Sequence, residues 1–414
     1  MLFLYAQMGI FCYTVPMAYS ASRRQVRSTI HSTSSPKKGV RKRYARGMEA
    51  IDSQLLIIVG VLLVFGLIML SSASSIQGHL DKNDSAYYLK HQIIYGLFLG
   101  GIAFYVMSKI DYHYWRKNAF PLAVFSLVLL FAVFIPGIGR ELLGAKRWIH
   151  VGGFFFQPSE VVKLSFLIYL SAWLEKRGKD VEHISYGLLS FLSMLGFLVL
   201  LIAIAQKDLG TTMVIAVISI VVYFVAGAPW KHLGYIFLGG IASFFALVKI
   251  APYRADRITV FLNPELDPQG IGYHINQALL AIGSGGFFGL GLGHSRQKYN
   301  YLPEAATDSI FAVIAEELGF IFAVMLIILF LAFIFQALRI AKNAPDQFGR
   351  LLSVGIATWI GFQAFVNIGA MLSVFPLTGI PLPFISYGSS SLIMIMGATG
   401  LLANISRSAK KKTV

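Results

Sequence analysis

The residues with the clearest chemical potential lie between Pro303 and Phe311, where the chain reads PEAATDSIF. Asp308 stands where a long polar loop meets an apolar stretch that ends near Gln336. A carboxylate at the entrance to a membrane is costly, so its presence there indicates chemistry. Glu304, in the same run, is a weaker candidate for lining a substrate cavity.

The composition indicates that this acid belongs to a membrane protein. Hydrophobic residues make up 56% of the 414 residues, charged residues only 13%, and the mean hydropathy is +0.69. A soluble chain needs about a quarter of its residues charged to cover its surface, so the apolar excess must face lipid. The single cysteine, Cys12, excludes a disulfide or a cysteine-based metal site within the chain.

Ten apolar segments are long enough to cross a hydrocarbon core about 30 Å thick, which predicts an all-α polytopic membrane protein. Lys and Arg gather in both terminal tails and in alternate short loops, so both termini are expected in the cytoplasm. The loop 251–308, between spans seven and eight, then lies outside. The predicted spans are 54–74, 92–108, 118–136, 158–174, 184–204, 209–226, 233–250, 309–336, 351–372 and 388–405.

The expected domain organisation is a membrane domain of residues 49–406 between two basic cytoplasmic tails, 1–48 and 407–414. The first tail is rich in serine and basic residues, which is typical of disorder, and it lacks the pattern of a cleaved signal. Met48 directly precedes the first span and is an alternative translation start. The net charge of +16 lies beside the spans, which favours anionic lipid over nucleic acid.

Polar residues between the third and fourth spans could line a cavity on the outer side. Glu160 and Lys163 share a helix face, and either join two helices as an ion pair or form a polar wall. Asp208, in the first turn of span six, is interpreted as a helix cap more readily than as a cavity residue. The candidates before span four are Lys146, Arg147, Gln157, Glu160 and Lys163.

The outer loop is rich in glycine, with eight between Gly270 and Gly293. Such density either lets the backbone pack closely or re-enter the membrane surface, or it marks a mobile loop. Its cations lie where a phosphate-bearing headgroup would be, and guanidinium groups match phosphate geometry, so with Asp308 they favour an anionic ligand. These cations are Arg254, Arg257, Arg296 and Lys298.

Two further acids, Glu316 and Glu317, lie two turns into the eighth span, deeper than a sugar should reach. Acids within a membrane span need polar partners. We expect them to pack against polar groups of neighbouring helices, such as Gln363 and Asn367.

Several motifs in order carry a resemblance from about Met48 to the C-terminus. They are KRWI, FQPSE with Lys163, QKDLGT, NPELDPQGIGY, AIGSGG, SRQKYNYLPEAATDSIFAVIAEELG and LTGIPLPFISYGSSSL. The chain resembles the SEDS family of bacterial shape, elongation, division and sporulation proteins. The SRQK and YLPEA motifs are more similar to the FtsW type, which acts in division, than to the RodA type, which acts in elongation.

The resemblance implies a peptidoglycan glycosyltransferase that polymerises lipid II, an undecaprenyl-pyrophosphate-linked disaccharide peptide, on the outer face of the bacterial cytoplasmic (inner) membrane. It implies a class B penicillin-binding protein and other divisome proteins as partners, and a place at the division septum. It also implies that Asp308 is the essential acid and that Ser386 belongs to the substrate site.

Direct displacement on an α-linked donor to give a β-1,4 glycan inverts the anomeric centre, and a carboxylate can take the proton of the attacking hydroxyl. No cofactor is implied beyond a divalent cation, Mg²⁺ or Mn²⁺, that would offset charge on the leaving pyrophosphate, and the metal stays unassigned.

This chain departs from the family pattern at four positions. Ala306 stands where His is usual, Ser309 where Phe is usual, Lys207 where Pro is usual, and Ser389 where the second Gly of SYGGS is usual. The first two flank Asp308, so the pKa of that acid or the substrate placement can differ here.

Two other function classes stay open. One is a transporter that flips lipid-linked precursors, which the lack of a visible internal repeat and the outer polar residues disfavour. The other is a non-catalytic scaffold that recruits a transpeptidase.

Overall fold

The structure is a computed structural model that describes residues 51–142, 145–151, 154–250, 259–267 and 269–409. The predicted disordered tail and the hypothesis of a start at Met48 therefore lie outside the described residues.

Ten helices of the described chain coincide with the ten predicted spans. They are α1 Ser53–Ala73, α2 Tyr87–Lys109, α3 Ala119–Ala132, α4 Pro158–Arg177, α5 Ile184–Ala205, α6 Leu209–Val225, α7 Trp230–Ile250, α8 Ile310–Asn343, α9 Gln347–Met371 and α10 Ser389–Ser408. By length and composition α1, α2, α5, α8, α9 and α10 can each cross a membrane, and α3 and α6 are shorter apolar helices. The predicted all-α polytopic architecture is confirmed.

The helices differ in which environment they face. Most residues in the apolar windows of α9 and α10 are buried within the protein, whereas a third or fewer of those in α1, α2 and α8 are buried. The exposed side chains of these outer helices and of α7 are large and apolar, for example Phe98, Tyr105, Phe237 and Phe335. Such a continuous apolar surface is stable only against lipid, so α9 and α10 form the centre of a lipid-facing bundle.

Aspartates fix the beginnings of several helices by accepting backbone N–H groups that the first helical turn leaves unpaired. Asp52 caps α1 through the N–H of Leu55 at 3.1 Å, and its other oxygen accepts from Gln336 Nε2 of α8 at 2.6 Å. Asp346 caps α9 through the N–H of Gly349 at 2.7 Å. These caps also connect the helix ends on the predicted inner side.

A small antiparallel sheet, which the sequence did not predict, lies between α3 and α4. Its strands are β1 Gly139–Leu142, β2 Ala145–Val151 and β3 Phe154–Phe156, in the order β1-β2-β3. Ile149 of β2 pairs with Phe156 on one side and with Gly139 on the other. Aromatic and β-branched residues stabilise such pairs, but strands this short give only a weak pattern.

Shorter elements complete the described chain. The α-helices Ser75–Lys82 and Tyr112–Lys117 and the 3₁₀ turns Gly178–Glu182 and Pro264–Leu266 connect the spans. The outer loop contains the helix Ile271–Ser284, called here the loop helix, whose first N–H, that of Ile271, donates to Asp267 Oδ2 at 2.8 Å. Three π-helical turns interrupt α2 and α5, at Gln92–Phe98, Ile184–Leu189 and Leu201–Ala205.

Candidate active site

Asp308 lies half-buried in the turn that precedes α8, beside a second carboxylate. The hydroxyl of Thr307 is 2.7 Å from Glu304 Oε2 and 3.2 Å from Asp308 Oδ1. A threonine hydroxyl carries one proton, so Glu304 and Asp308 compete for the same donor. The two predicted acids are therefore brought together around Thr307.

Asn367, on α9, holds the main chain of the candidate acid. Its Nδ2 donates to the carbonyl of Asp308 at 2.7 Å and to the carbonyl of Ile380 at 2.8 Å. The side chain is only 1% exposed, so both bonds are shielded from water. Sequence reasoning missed this role, because the two partners of Asn367 lie on different loops.

The residues 378–388 between α9 and α10, called here the 378–388 segment, lie against the Asp308 turn. The Ser386 hydroxyl accepts the N–H of Leu382 at 2.7 Å and donates to the carbonyl of Thr307, and the N–H of Tyr387 donates to the carbonyl of Ala306 at 2.8 Å. Ser386, predicted as a substrate-site residue, thus binds the backbone of the turn that carries Asp308. The whole segment lies within the motif LTGIPLPFISYGSSSL, which carried the resemblance without indicating this contact.

Gln92, at the start of the π-helical turn of α2, supports the 378–388 segment from the other side. Its Nε2 donates to the carbonyl of Ser386 at 3.3 Å, and its Oε1 accepts the N–H of Gly388 at 3.2 Å. The side chain is 2% exposed. A glutamine within an apolar span was the sequence feature that could have indicated this role of Gln92. The π-helical turn that it begins is a further indication, because such turns often occur at functional sites.

Glu160 and Lys163 form a buried ion pair of 2.7 Å between Nζ and Oε1, as the first interpretation predicted. Lys163 Nζ also lies 3.2 Å from Gln363 Oε1 and over the ring of Trp359, both on α9. Gln363 Nε2 donates in turn to the carbonyl of Pro381 at 2.9 Å. The pair therefore connects α4 and α9 to the 378–388 segment.

Asp208 caps α6, as predicted, and gathers a second group of candidate residues. Its Oδ1 accepts the N–H of Thr211 at 3.0 Å, and its Oδ2 accepts Gln157 Nε2 at 3.2 Å. The guanidinium of Arg147 donates to the carbonyls of Gln206 and Lys207 at 3.1 and 2.6 Å, which attaches β2 to this turn. Lys146 is exposed beside it.

The structure corrects the prediction for Lys298. Its Nζ lies 3.0 Å from Glu317 Oε1 and donates to Ser72 Oγ at 3.1 Å and to the carbonyl of Gly293 at 2.7 Å. Lys298 is 5% exposed, so its charge already has a buried partner and does not face an anionic headgroup. Of the other cations, Arg296 is exposed, whereas Arg254 and Arg257 lie outside the described residues.

Glu317 has a polar partner on a neighbouring helix, Ser72 of α1, as expected, but the two partners named as examples, Gln363 and Asn367, were wrong. Glu316 accepts the N–H of Arg296 at 2.9 Å and the hydroxyl of Ser295, whereas Glu317 accepts Ser72 and Lys298. Both acids therefore hold residues 295–298, the SRQK motif. The hydrogen bonds of Gln363 and Asn367 within the described chain go to other residues. The reason is that the outer loop folds back onto α8, which the order of residues alone does not reveal.

The glycine-rich loop packs closely against a break in α8 at Gly319, where φ is 80° and ψ is −177°. The N–H groups of Leu290 and Gly291 donate to the carbonyls of Glu316 and Glu317 at 3.0 and 2.9 Å, and the N–H of Phe320 donates to the carbonyl of Gly286 at 2.8 Å. Irregular backbone at membrane depth needs such partners. The close-packing alternative is therefore the one that the structure supports.

His274 of the loop helix contacts the residue after the candidate acid. Its Nε2 lies 2.6 Å from Ser309 Oγ, and Ser309 Oγ donates to the carbonyl of Pro303 at 2.8 Å. Burial lowers the pKa of His274 from 6.5 to about 4, so the imidazole is neutral at pH 7. Ser309, one of the unusual residues, therefore has a defined partner.

A large apolar groove of about 1120 Å³ lies elsewhere, between α6, α8 and α9. Its lining includes Lys342 and Arg350 but none of the predicted site residues. In the described part of the chain, no group of three or more His, Cys, Asp or Glu could hold a metal ion. Glu304 and Asp308, whose carboxylates share the Thr307 hydroxyl, offer oxygen donors of the type that Mg²⁺ or Mn²⁺ prefers.

The fold and this cluster define a multi-pass membrane protein with a carboxylate site at the ends of its central helices. The profile of the FtsW/RodA/SpoVE family, described as cell cycle protein, matches residues 53–411. The chain therefore belongs to this family, the SEDS family.

Two relatives illustrate the similarity. The stage V sporulation protein E of Bacillus subtilis is 43% identical over 86% of this chain and 97% of its own length. A protein of Trichlorobacter lovleyi named probable peptidoglycan glycosyltransferase FtsW is 43% identical over 87% of this chain and 94% of its own.

Solved structures agree with this assignment. A chain from a study of polymerization and crosslinking by a peptidoglycan synthase complex matches with a TM-score of 0.71 and 30% identity, over 88% of this chain and 99% of that one. The rod shape determining protein RodA of Thermus thermophilus matches with a TM-score of 0.63 and 30% identity, with the same coverage of both chains.

Proposed function

We propose that this protein is a peptidoglycan glycosyltransferase that polymerises lipid II into β-1,4 glycan strands, with Asp308 as general base. The names of the relatives support the activity. The observation that carries the residue assignment is the position of Asp308, a half-buried acid whose main chain is held by Asn367 and whose turn is held by Ser386.

The proposed reaction is an inverting displacement. The 4-hydroxyl of the acceptor sugar attacks the anomeric carbon of the α-linked donor, the bond to the pyrophosphate breaks, and Asp308 accepts the hydroxyl proton. A carboxylate can do this only within hydrogen-bond reach of the hydroxyl, so its placement matters as much as its basicity. Asn367 and Ser386 fix the turn before substrate binds, which lowers the entropy cost of reaching that geometry.

The leaving pyrophosphate gains negative charge, which nearby cations would stabilise. The exposed side chains of Arg296 and Lys146 are suited to this role, as are Arg254 and Arg257 of the outer loop. A divalent cation would be held by Glu304 and Asp308 together with the substrate and would offset the same charge. Lys298 contributes indirectly, because it fixes the loop that carries Arg296.

The proposed partner is a class B penicillin-binding protein, with other divisome proteins, at the septum of the bacterial cytoplasmic membrane. The synthase complex named for one solved relative supports a transpeptidase partner. The similarity to FtsW proteins supports division over elongation.

The test is lipid II polymerisation by the purified protein with its transpeptidase partner, read as glycan strands on a gel. Asp308→Ala and Asp308→Asn should abolish strand formation while the complex still elutes as one species. Glu265→Gln, at an exposed acid of the same outer loop, is the matched control and should keep activity. Full polymerisation by both Asp308 variants would reject the general base.

The same preparation separates the other function classes. If the wild-type protein moves lipid II from one leaflet of a vesicle membrane to the other but does not polymerise it, the protein is a transporter. A wild-type complex with neither activity that still binds the transpeptidase would identify a scaffold.

A further inference from the structure

The hydrogen bonds of Ser309 determine which atom of His274 carries a proton. The one hydroxyl proton of Ser309 is directed at the carbonyl of Pro303, 2.8 Å away. The contact of 2.6 Å between Ser309 Oγ and His274 Nε2 must then be a bond in which the imidazole donates. His274 is therefore assigned as the Nε2–H tautomer, and its neutral state at pH 7 follows from its burial.

This bond joins the loop helix to the turn that carries the acid. Ser309 directly follows Asp308, and its own N–H donates to the carbonyl of Glu304 at 3.1 Å. The loop helix contacts α8, so His274 is held by an element that has its own packing. A shift of Ser309 would rotate the backbone of Asp308 and change the direction of its carboxylate.

The other bonds to this turn come from different elements. Asn367 holds the carbonyl of Asp308, and Ser386 and Tyr387 hold the carbonyls of Thr307 and Ala306. His274 supplies the bond at the C-terminal end of the turn, from the outer loop. A phenylalanine at position 309, which is usual in the family, has no oxygen that could accept it.

We propose that His274 is a positioning residue for Asp308, acting through Ser309, so that the outer loop helix sets the orientation of the catalytic acid. This inference rests on the proposed function for its kinetic readout. His274 is not expected to touch the substrate or to transfer a proton. Its removal should therefore lower kcat and leave the KM for lipid II nearly unchanged.

The experiment compares four variants of the full chain in complex with its transpeptidase partner. His274→Leu removes only the bond to Ser309 and should lower kcat by about tenfold, the effect of losing one well-placed hydrogen bond. Ser309→Ala also removes the bond from Ser309 Oγ to the carbonyl of Pro303 and should lower kcat by at least as much. His274→Gln keeps an amide donor near the position of Nε2 and should restore most of kcat. The double variant His274→Leu/Ser309→Ala should be no slower than Ser309→Ala alone, because Ser309→Ala has already removed the bond that His274→Leu would break.

A second measurement does not depend on activity. Hydrogen exchange of the full chain in nanodiscs, followed by mass spectrometry of peptides covering 303–310, should be faster in His274→Leu and Ser309→Ala and near wild type in His274→Gln. If the wild type makes no glycan strands, the proposed function fails, and this exchange pattern still tests whether the His274–Ser309 hydrogen bond holds the turn.

The proposal is overturned if His274→Leu keeps both wild-type kcat and wild-type exchange at 303–310. It is also overturned if the double variant shows the product of the two single losses, since the residues would then act independently. A rise in KM without a change in kcat would assign His274 to substrate binding instead.

Discussion

Lys298 Nζ and Glu317 Oε1 form an ion pair of 3.0 Å, with side chains that are 3% and 0% exposed. Removing one partner of such a pair leaves an uncompensated buried charge, which costs about 3–5 kcal/mol. Lys298→Met should therefore destabilise the protein strongly, as measured by thermal unfolding in detergent. Lys298→Met/Glu317→Gln removes both charges and should recover much of the loss.

The exposed Arg296 provides the stability control, because Arg296→Met should change the free energy of unfolding by less than about 0.5 kcal/mol. If Lys298→Met were as stable as wild type but slow in polymerisation, Lys298 would instead bind the substrate directly, as the sequence had predicted.

Asn367→Leu should lower both stability and activity. The substitution keeps the branched shape of the side chain but leaves the carbonyls of Asp308 and Ile380 without their donor, and each unsatisfied buried acceptor costs about 1–3 kcal/mol. We expect reduced kcat for strand formation together with a lower unfolding temperature. Ser353→Ala, which removes a buried hydroxyl of α9 that has no partner among the described residues, is the control and should leave both near wild type.

Gly319→Ala should destabilise α8 and the glycine-rich loop. The backbone at φ 80° and ψ −177° is accessible essentially to glycine alone, and a Cβ there would lie 2.6 Å from the carbonyl of Phe287 and nearer still to the N–H of Gly289. The expected loss is on the order of 3 kcal/mol, seen as a lower unfolding temperature. Gly60→Ala in α1, where a Cβ meets nothing within 4 Å, should be neutral; equal effects at the two sites would contradict the close packing.

The depressed pKa of His274, about 4 against an ordinary 6.5, predicts a pH-dependent stability. Between these values the unfolded chain binds a proton that the folded protein does not, so stability falls as pH decreases from 6.5 towards 4. His274→Gln lacks this titration. The difference in unfolding free energy between wild type and variant should therefore be constant above pH 7 and should shift against wild type below pH 6.5; a constant difference down to pH 4 would contradict the burial of the imidazole.

Features set by local composition could be predicted from the sequence. The spans follow from the lengths of apolar runs, and each coincides with a helix of the described chain. The cap at Asp208 and the ion pair of Glu160 with Lys163 depend on residues three apart, so helix periodicity was enough to place them. Asp308 was identified because a carboxylate at a membrane boundary is energetically costly and therefore indicates a function.

Features that depend on distant segments could not be predicted. Asn367 lies 59 positions from Asp308, and Lys298 lies 19 positions from Glu317, with the outer loop between them. A break at Gly319 is needed before that loop can fold back, and a single glycine in an apolar helix does not indicate it. His274 and Ser309 are 35 positions apart, and only the packing of the loop helix brings them together.

Glu316 and Glu317 close the segment 290–317 into a loop through hydrogen bonds to its beginning. Their carbonyls bind residues 290 and 291 and their side chains bind residues 295–298, while the covalent path from those residues to the acids passes through Asp308. Closing a loop removes much of its conformational entropy, and doing so twice at adjacent residues restricts both rotation and translation of what lies between. We therefore expect Asp308, its turn and the SRQK motif to move together as a rigid unit when the outer half of α8 moves.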